Sequence, residues 1–442
     1  MSLSQKRVAV IGAGLAGSEA TLVLAAQGVL VDLFEMRPKK MTPAHETGDP
    51  AELVCSNSLK SMRTVSAHGL LKEELSILGS PLIAAAKETA VPAGSALAVD
   101  RAAFSARIVQ AFESFPNVKL IRQEITEPPI GYDAVLIAAG PLVSDPLAVW
   151  IQTTFPSAPL HFYDAIAPII SFDSINMDIA FVASRNDDGD GDYINCPFTE
   201  EEYFAFYRAL READTTQARS FEDAHFFEGC LPIEVMAERG ELTLSYGCMR
   251  PIGITNPRTG RWSYAVAQLR KETVSGQAYN IVGFQTRLTI PAQKKVFALI
   301  PGLENAEYFR YGSIHRNTYL ESPKILQSDL SFNGRPDLFL AGQLSGGEGY
   351  TESIATGHAA ARSILAKLND KPFTPFPSET MLGSLLHHVV ASEVTPFSPS
   401  NVHYGMVPPL VENTKRMKKK ANREKLSERA IAAMTKWMVD QA

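Results

Sequence analysis

Cysteine is scarce in this 442-residue chain, which holds only Cys55, Cys196, Cys230 and Cys248. No two of them stand in a C-x-x-C spacing, which argues against a zinc site and against a disulfide framework, and predicts thiols kept reduced in a cytoplasm. Long apolar runs are missing too. Lys6-Arg7 ahead of residues 8–17 imitates a signal peptide, but Glu19 follows at once. Residues 146–163 lack Asp, Glu, Lys and Arg, yet three prolines break the stretch. A soluble cytoplasmic protein with no membrane partner is predicted. The aspartates of residues 187–192 imitate a calcium loop without its distal Glu, so an exposed turn and no metal site are expected there.

What is present is enough for a large core: 45% apolar and 20% charged residues exclude wholesale disorder. The length suggests two or three units. The formal charge of −6 hides a contrast, because residues 411–442 carry a net +5 and the rest −11. That basic end is the place to look for an anionic partner.

The chain opens strand, turn, helix, strand. Arg7–Ile11 is apolar and β-branched, and Gly12-Ala13-Gly14-Leu15-Ala16-Gly17 leads into a helical stretch reaching about Gln27. Residues 29–35 form a second strand that ends on Glu35, 18 residues beyond Gly17. This is G-x-G-x-x-G in the context it requires. Gly12 permits the tight turn, Gly14 lets backbone approach a pyrophosphate, and Gly17 lets helix and strand pack closely. The helix N-terminus supplies N–H groups to phosphate, and Glu35 is placed to accept from ribose hydroxyls.

Two later stretches favour FAD over bare NAD. Residues 132–139 (YDAVLIAA) read as a buried strand ending at Gly140-Pro141. Residues 337–342 (DLFLAG) form another, followed by Gly346-Gly347-Glu348-Gly349-Tyr350 and a helix. These stretches resemble the late strands of glutathione-reductase-like flavoproteins, which put backbone and a helix N-terminus beside the flavin. The resemblance implies an α/β class: a glutathione-reductase-like FAD-binding Rossmann domain carrying an inserted α+β domain. Its expected parts are 1–150 for the first FAD segment, 151–325 for the insert, 326–370 for the return segment, and 371–442 for a partly helical basic end.

The cysteines are the candidate nucleophiles. Cys55, in Leu53-Val54-Cys55-Ser56-Asn57-Ser58, reads either as a small buried filler or as a thiol whose pKa Lys60 and Arg63 lower. Cys230 lies between Glu228 and Glu234, which raise a thiol pKa, so a thiolate there needs a cation from elsewhere. Cys196 and Cys248 have ordinary surroundings and read as structural.

Several stretches together resemble the bacterial folate- and FAD-dependent tRNA uracil-5 methyltransferases. They are the glycine turn, FEMRP from Phe34, CSNSLKS from Cys55, NCPFTEEEY from Asn195, EGCLPIE from Glu228, the long run from Ile300, and GQLSGGEGYTESIATG from Gly342. The resemblance implies transfer of a one-carbon unit from 5,10-methylenetetrahydrofolate to C5 of a tRNA T-loop uridine, with FAD as electron carrier and NAD(P)H as the reductant that recharges it. By resemblance Cys230 attacks uracil, Cys55 is a second functional cysteine, and Tyr350 handles a proton. Gly12, Ala13, Gly14, Leu15, Ala16, Gly17, Glu35, Gly140, Gly342, Gln343 and Gly349 would hold the cofactor. His315 would face folate or nicotinamide, and Arg316 would pair with a carboxylate or phosphate of the substrate. Lys418 and Lys419, in the basic end, would grip RNA, with Lys294-Lys295 and Arg258 with Arg261 as secondary candidates; a solvated helix face is the plain alternative.

The sequence departs from the family pattern at Cys248, where a proline is expected, and at QTRLTIPAQKKVF, which replaces a more acidic version. That leaves ribosomal RNA open as the target. Two other classes also stay open: a flavin oxidoreductase acting on a small metabolite, and a catalytically silent RNA-binding flavoprotein.

Overall fold

A computed structural model describes residues 3–155, 160–186, 191–216, 231–272, 276–393, 397–410 and 418–441, the side chains of 160–166, 314–316 and 419 excepted. The apolar runs predicted as strands assemble into one parallel sheet. Val118–Arg122, Leu30–Glu35, Arg7–Ile11, Ala134–Ile137 and Arg335–Leu340 lie side by side in that order, and the short Ser331–Phe332 closes the edge antiparallel. Val8, Ala9, Val10, Leu136 and Ile137 have no exposed surface, as expected of strands covered on both faces. The strand order reverses on either side of Arg7–Ile11, so a crevice opens beyond the carboxyl ends of the central strands.

The helices Leu15–Ala26 and Tyr350–Leu368 both begin at that crevice and pack against each other. Their contact is close because small residues face each other. A Cβ on Gly357 would sit 2.3 Å from the Ala16 carbonyl oxygen, and one on Gly17 would sit 1.9 Å from that of Gly12. Buried beneath the crossing, the Glu19 carboxylate meets His358 Nδ1 at 2.8 Å and accepts the Leu82 N–H at 3.1 Å.

The sequence reading passed over residues 36–117, which hold a three-stranded sheet (Ser58–Ser61, Ala96–Val99, Ala90–Val91) and three helices, Ala67–Ile77, Pro81–Glu88 and Arg101–Glu113. The middle of the chain builds a second core. Its antiparallel sheet runs Phe181–Ala183, Tyr193–Phe198, Ala265–Lys271, Ala278–Ile281, Ile169–Ser171 and Tyr308–Arg310. Phe198, Tyr203, Phe206, Phe284 and Phe297 fill it. Helix Glu200–Arg211 covers one side, started by a Thr199–Glu202 capping box. The two-stranded ribbon of Leu160–Ile166 and Ser313–Tyr319 joins the two units.

The basic end contains the helix Lys419–Asp440, which is docked rather than free. Leu426, Ala430, Met434 and Trp437 are buried in the same core as the parallel sheet, and Trp437 stacks on Phe376 with ring centroids 4.5 Å apart. No helix among the described residues is long and apolar enough to cross a membrane.

Gly357→Ala should force the two crevice helices apart. A loss of about 1–3 kcal/mol in urea unfolding is expected, as for other overpacked cores.

Candidate active site

A cavity of about 310 Å³ lies where the fold places it, at the carboxyl ends of the parallel strands, and opens into a wider mouth. That is within the roughly 300–1,000 Å³ of small-molecule and cofactor sites. Gly12, Gly14, Leu15, Ala16, Glu35, Gly140, Gly342, Gln343 and Gly349 all line it, together with Cys55 and Tyr350. The glycines act as their spacing implies. Gly12 has φ 101° and lies against the Ala138 carbonyl, whereas a Cβ on Gly14 would meet nothing within 4 Å and would project into open space.

Ala13 and Gly17 work from behind the wall. The Ala13 N–H donates to Glu35 Oε2 at 2.9 Å, and Gly17 seats the helix on the turn. Glu35 is more engaged than the sequence implied, because Arg37 donates to its Oε1 from both backbone N and Nε at 3.0 Å. Burial alone would raise the Glu35 pKa, but Arg37 and the Ala13 N–H hold it below the usual carboxylate value. Arg37, itself buried, also reaches Glu52 at 2.8 Å. Its place in the FEMRP stretch was the available signal.

Cys55 sits at the other end of the cavity, where distant segments hold its loop. The Tyr350 hydroxyl oxygen accepts the N–H groups of Cys55 at 2.8 Å and Ser56 at 3.2 Å. Burial, and then the charge of Cys55, push the Tyr350 pKa well above its ordinary value against the opposing pull of Arg101. The phenol therefore stays protonated near neutrality, and its own hydrogen remains to be donated. Arg101 donates to the Leu53 carbonyl at 2.8 Å and Arg310 to that of Val54 at 3.0 Å. Arg270 donates to Asn57 Oδ1 at 2.9 Å and Ser56 Oγ at 3.1 Å. Fully buried Asn57 donates in turn to the carbonyls of Val99 and Lys271 at 3.1 and 2.7 Å, tying the loop to the inserted sheet.

Sequence reasoning missed Arg101, Arg270, Arg310 and Glu272, because no local pattern marks them. Cys230 lies outside the described residues. His315 and Arg316 fall on the strand Ser313–Tyr319 with side chains outside the description, while their neighbour Asn317 lines the cavity. Asn317 is 1% exposed, and its Oδ1 has no partner among the described residues, an orphaned acceptor facing the space a ligand would fill. With the open cradle at Gly14 and two helix N-termini converging on it, the cavity fits FAD.

Lys418 is exposed and absent from the cavity wall, and the side chain of Lys419 is outside the description. Arg258 is spent on structure, donating to the carbonyls of Met177 and Ala180 at 2.7 and 3.1 Å. Cys196 and Cys248 are thiols held neutral by burial, which pushes Cys248 up to about 12. Among the described residues no group of His, Cys, Asp and Glu could hold a metal ion.

Residues 7–372 match the family described as Glucose inhibited division protein A. A protein of Desulfitobacterium hafniense (strain Y51) named methylenetetrahydrofolate--tRNA-(uracil-5-)-methyltransferase TrmFO is 50% identical over 427 residues, covering 97% of each chain. The chain belongs to the TrmFO family. A relative of the same name from Listeria monocytogenes serotype 4b (strain F2365) is 49% identical over 430 residues, covering 97% of this chain and 98% of its own. Among solved structures, GidA of Aquifex aeolicus in its form II crystal shares the fold, with a TM-score of 0.70 at 16% identity over 98% of this chain and 72% of that one.

Gly14→Ala should leave the unfolding midpoint of the apoprotein within error, yet weaken FAD binding at least tenfold in a flavin-fluorescence titration. Equal loss in both measurements would show that Gly14 serves the fold instead.

Proposed function

We propose that this chain makes 5-methyluridine in the T-loop of tRNA, taking the carbon from 5,10-methylenetetrahydrofolate, with FAD as bound cofactor and NAD(P)H as reductant. The observation that carries the reading is the meeting of Cys55 and Tyr350 on the wall of the cavity that the glycine turn also lines, in a chain half identical to relatives named for this reaction.

Uracil C5 is a weak nucleophile. Addition of a thiolate at C6, the role assigned to Cys230, turns the ring into an enolate whose C5 can attack an electrophilic methylene. The C5 proton must then leave to a base, and the thiolate must be expelled from C6. Tyr350, protonated and holding the Cys55 loop by two backbone N–H groups, acts as donor and support rather than as that base; Cys55 is the remaining candidate. Bound FAD, in its reduced form, supplies the two electrons that turn the transferred methylene into a methyl group. Gly12, Gly14 and the two helix N-termini would hold its pyrophosphate and ring ends, and Glu35, ordered by Arg37, its ribose. Asn317 offers a buried acceptor.

The protein should form 5-methyluridine, detected by mass spectrometry, when given NADPH, methylenetetrahydrofolate and unmodified tRNA. Product from ribosomal RNA alone would move the target, and no product from either would sink the reading. Cys230→Ala should abolish methylation while the protein stays yellow.

For RNA contact we assign the solvent side of the C-terminal helix, where Lys418 and Lys420 are exposed. Removing the helix is no test, because it would also strip Trp437 and Met434 from the core. K418E/K420E keeps them. It should weaken tRNA binding and flatten the log–log salt dependence by up to about two units, without changing flavin content. An unaltered salt slope would take this helix out of the interface.

A further inference from the structure

Arg101 belongs to none of the sequence motifs, yet it joins the Cys55 loop to a buried carboxylate of the inserted unit. It begins the helix Arg101–Glu113, directly after the N-cap Asp100. Its Nη1 holds the Leu53 carbonyl at 2.8 Å, and its Nε stands 2.9 Å from Glu272 Oε2. Glu272 is 4% exposed and follows the inserted strand Ala265–Lys271, so the ion pair spans the seam between the two units.

We propose that Arg101 is the positioning residue that keeps the Cys55 thiol ionisable, and that Glu272, supplied by the inserted unit, sets how much of the guanidinium charge the thiol feels. The inference rests on the proposed reaction, in which Cys55 exchanges a proton.

Other cations face the Cys55 loop and keep their charge while donating to it: Arg270 to Ser56 and Asn57, and Arg310 to the Val54 carbonyl, with Arg310 Nε 3.0 Å from Glu46 at the surface. Lys60, on the cavity wall, is joined to Asn401. Tyr350 is neutral near pH 7, so it adds no charge. Burial would lower the Arg101 pKa, but Glu272 first, and then Tyr350 and Cys55 in their anionic forms, raise it. By reciprocity, the charge on Arg101 favours the Cys55 thiolate. This supplies the cation that sequence reading sought in Lys60 and Arg63.

The ion pair gives the test its sign. Losing Arg101 removes positive charge beside Cys55, whereas losing the Glu272 charge unmasks it. A purely structural pair would disturb the loop in the same direction from either side. In a Cys230→Ala background with FAD bound, the rate of Cys55 carboxamidomethylation by iodoacetamide can be followed by peptide mass spectrometry across pH. Cys196, which has no exposed surface, serves as an internal reporter of folding. Arg101→Gln should shift the Cys55 profile up by about one pH unit, cutting the rate near neutrality about tenfold. Glu272→Gln should shift it down, and Arg101→Lys should follow the parent.

Shifts of the same sign in Arg101→Gln and Glu272→Gln, an unmoved profile in Arg101→Gln, or a Lys variant that behaves as Gln would each overturn the proposal. Because the readout is alkylation, it is separable from methylation. Opposed shifts in a protein that methylates no RNA would preserve the electrostatic pairing and discard the proposed reaction.

Discussion

The whole site depends on two helices touching backbone to backbone. Gly357 lies against the Ala16 carbonyl, and Gly17 against that of Gly12. At that separation the N-termini of Leu15–Ala26 and Tyr350–Leu368 open on one cavity instead of two, although 335 residues separate their starts. Any side chain larger than hydrogen at Gly357 would spread the pair, and one at Gly17 would lift its helix off the glycine turn. The buried Glu19–His358 contact extends the same constraint, since Glu19 also takes the N–H of Leu82 and so fixes a third helix against the crossing. A carboxylate with no exposed surface is costly unless its oxygens are met, and here both are.

The second constraint is the seam between the nucleotide unit and the inserted one. The Cys55 loop lies in the first, but the groups that orient it come from both. Tyr350 and Arg101 reach it from the nucleotide side, Arg270 and Arg310 from the insert, and Asn57 returns the connection through the Lys271 carbonyl. Hydrogen bonds of this kind each contribute about 1 kcal/mol net when made, and leaving a buried partner unmet costs more than making the bond gains. The loop is therefore held by the penalty for disengaging either unit. The position of the Cys55 thiol thus reports how the two units are packed.

This division explains what the sequence disclosed. The glycine turn was readable because its requirement is local: a positive φ at Gly12 and an open approach at Gly14 are demands on single residues. The parallel strands were readable because burial on both faces leaves continuous apolar runs. Their ends differ by a residue or two from expectation, as with Leu30–Glu35 and Ala134–Ile137. Residues 36–117 mix short strands and helices whose faces are decided by packing, and they carried no comparable signal. Arg101, Arg270 and Glu272 were invisible for a further reason. A buried guanidinium and a solvated one have the same local neighbours, and Arg270 meets Asn57 across 213 positions of chain. Sequence reading looks for cations within a few residues of Cys55, whereas the fold brings three arginines to its loop from distant positions of the chain.

The C-terminal helix shows the limit of charge as a guide. Its sequence is a basic run that reads equally as a solvated face or an RNA grip, and the structure adds that one side of the helix is docked. Trp437, Met434, Ala430 and Leu426 anchor it in the principal core, and Arg429 secures its approach by donating to the Pro409 carbonyl at 3.1 Å. Lys418 and Lys420 are left in solvent. An anchored helix presents charge at a fixed place, so a polyanion meeting it gains phosphate contacts without first having to order the segment. For the proposed RNA contact, the apolar side of the helix would therefore matter as much as the lysines themselves, because it fixes where they stand.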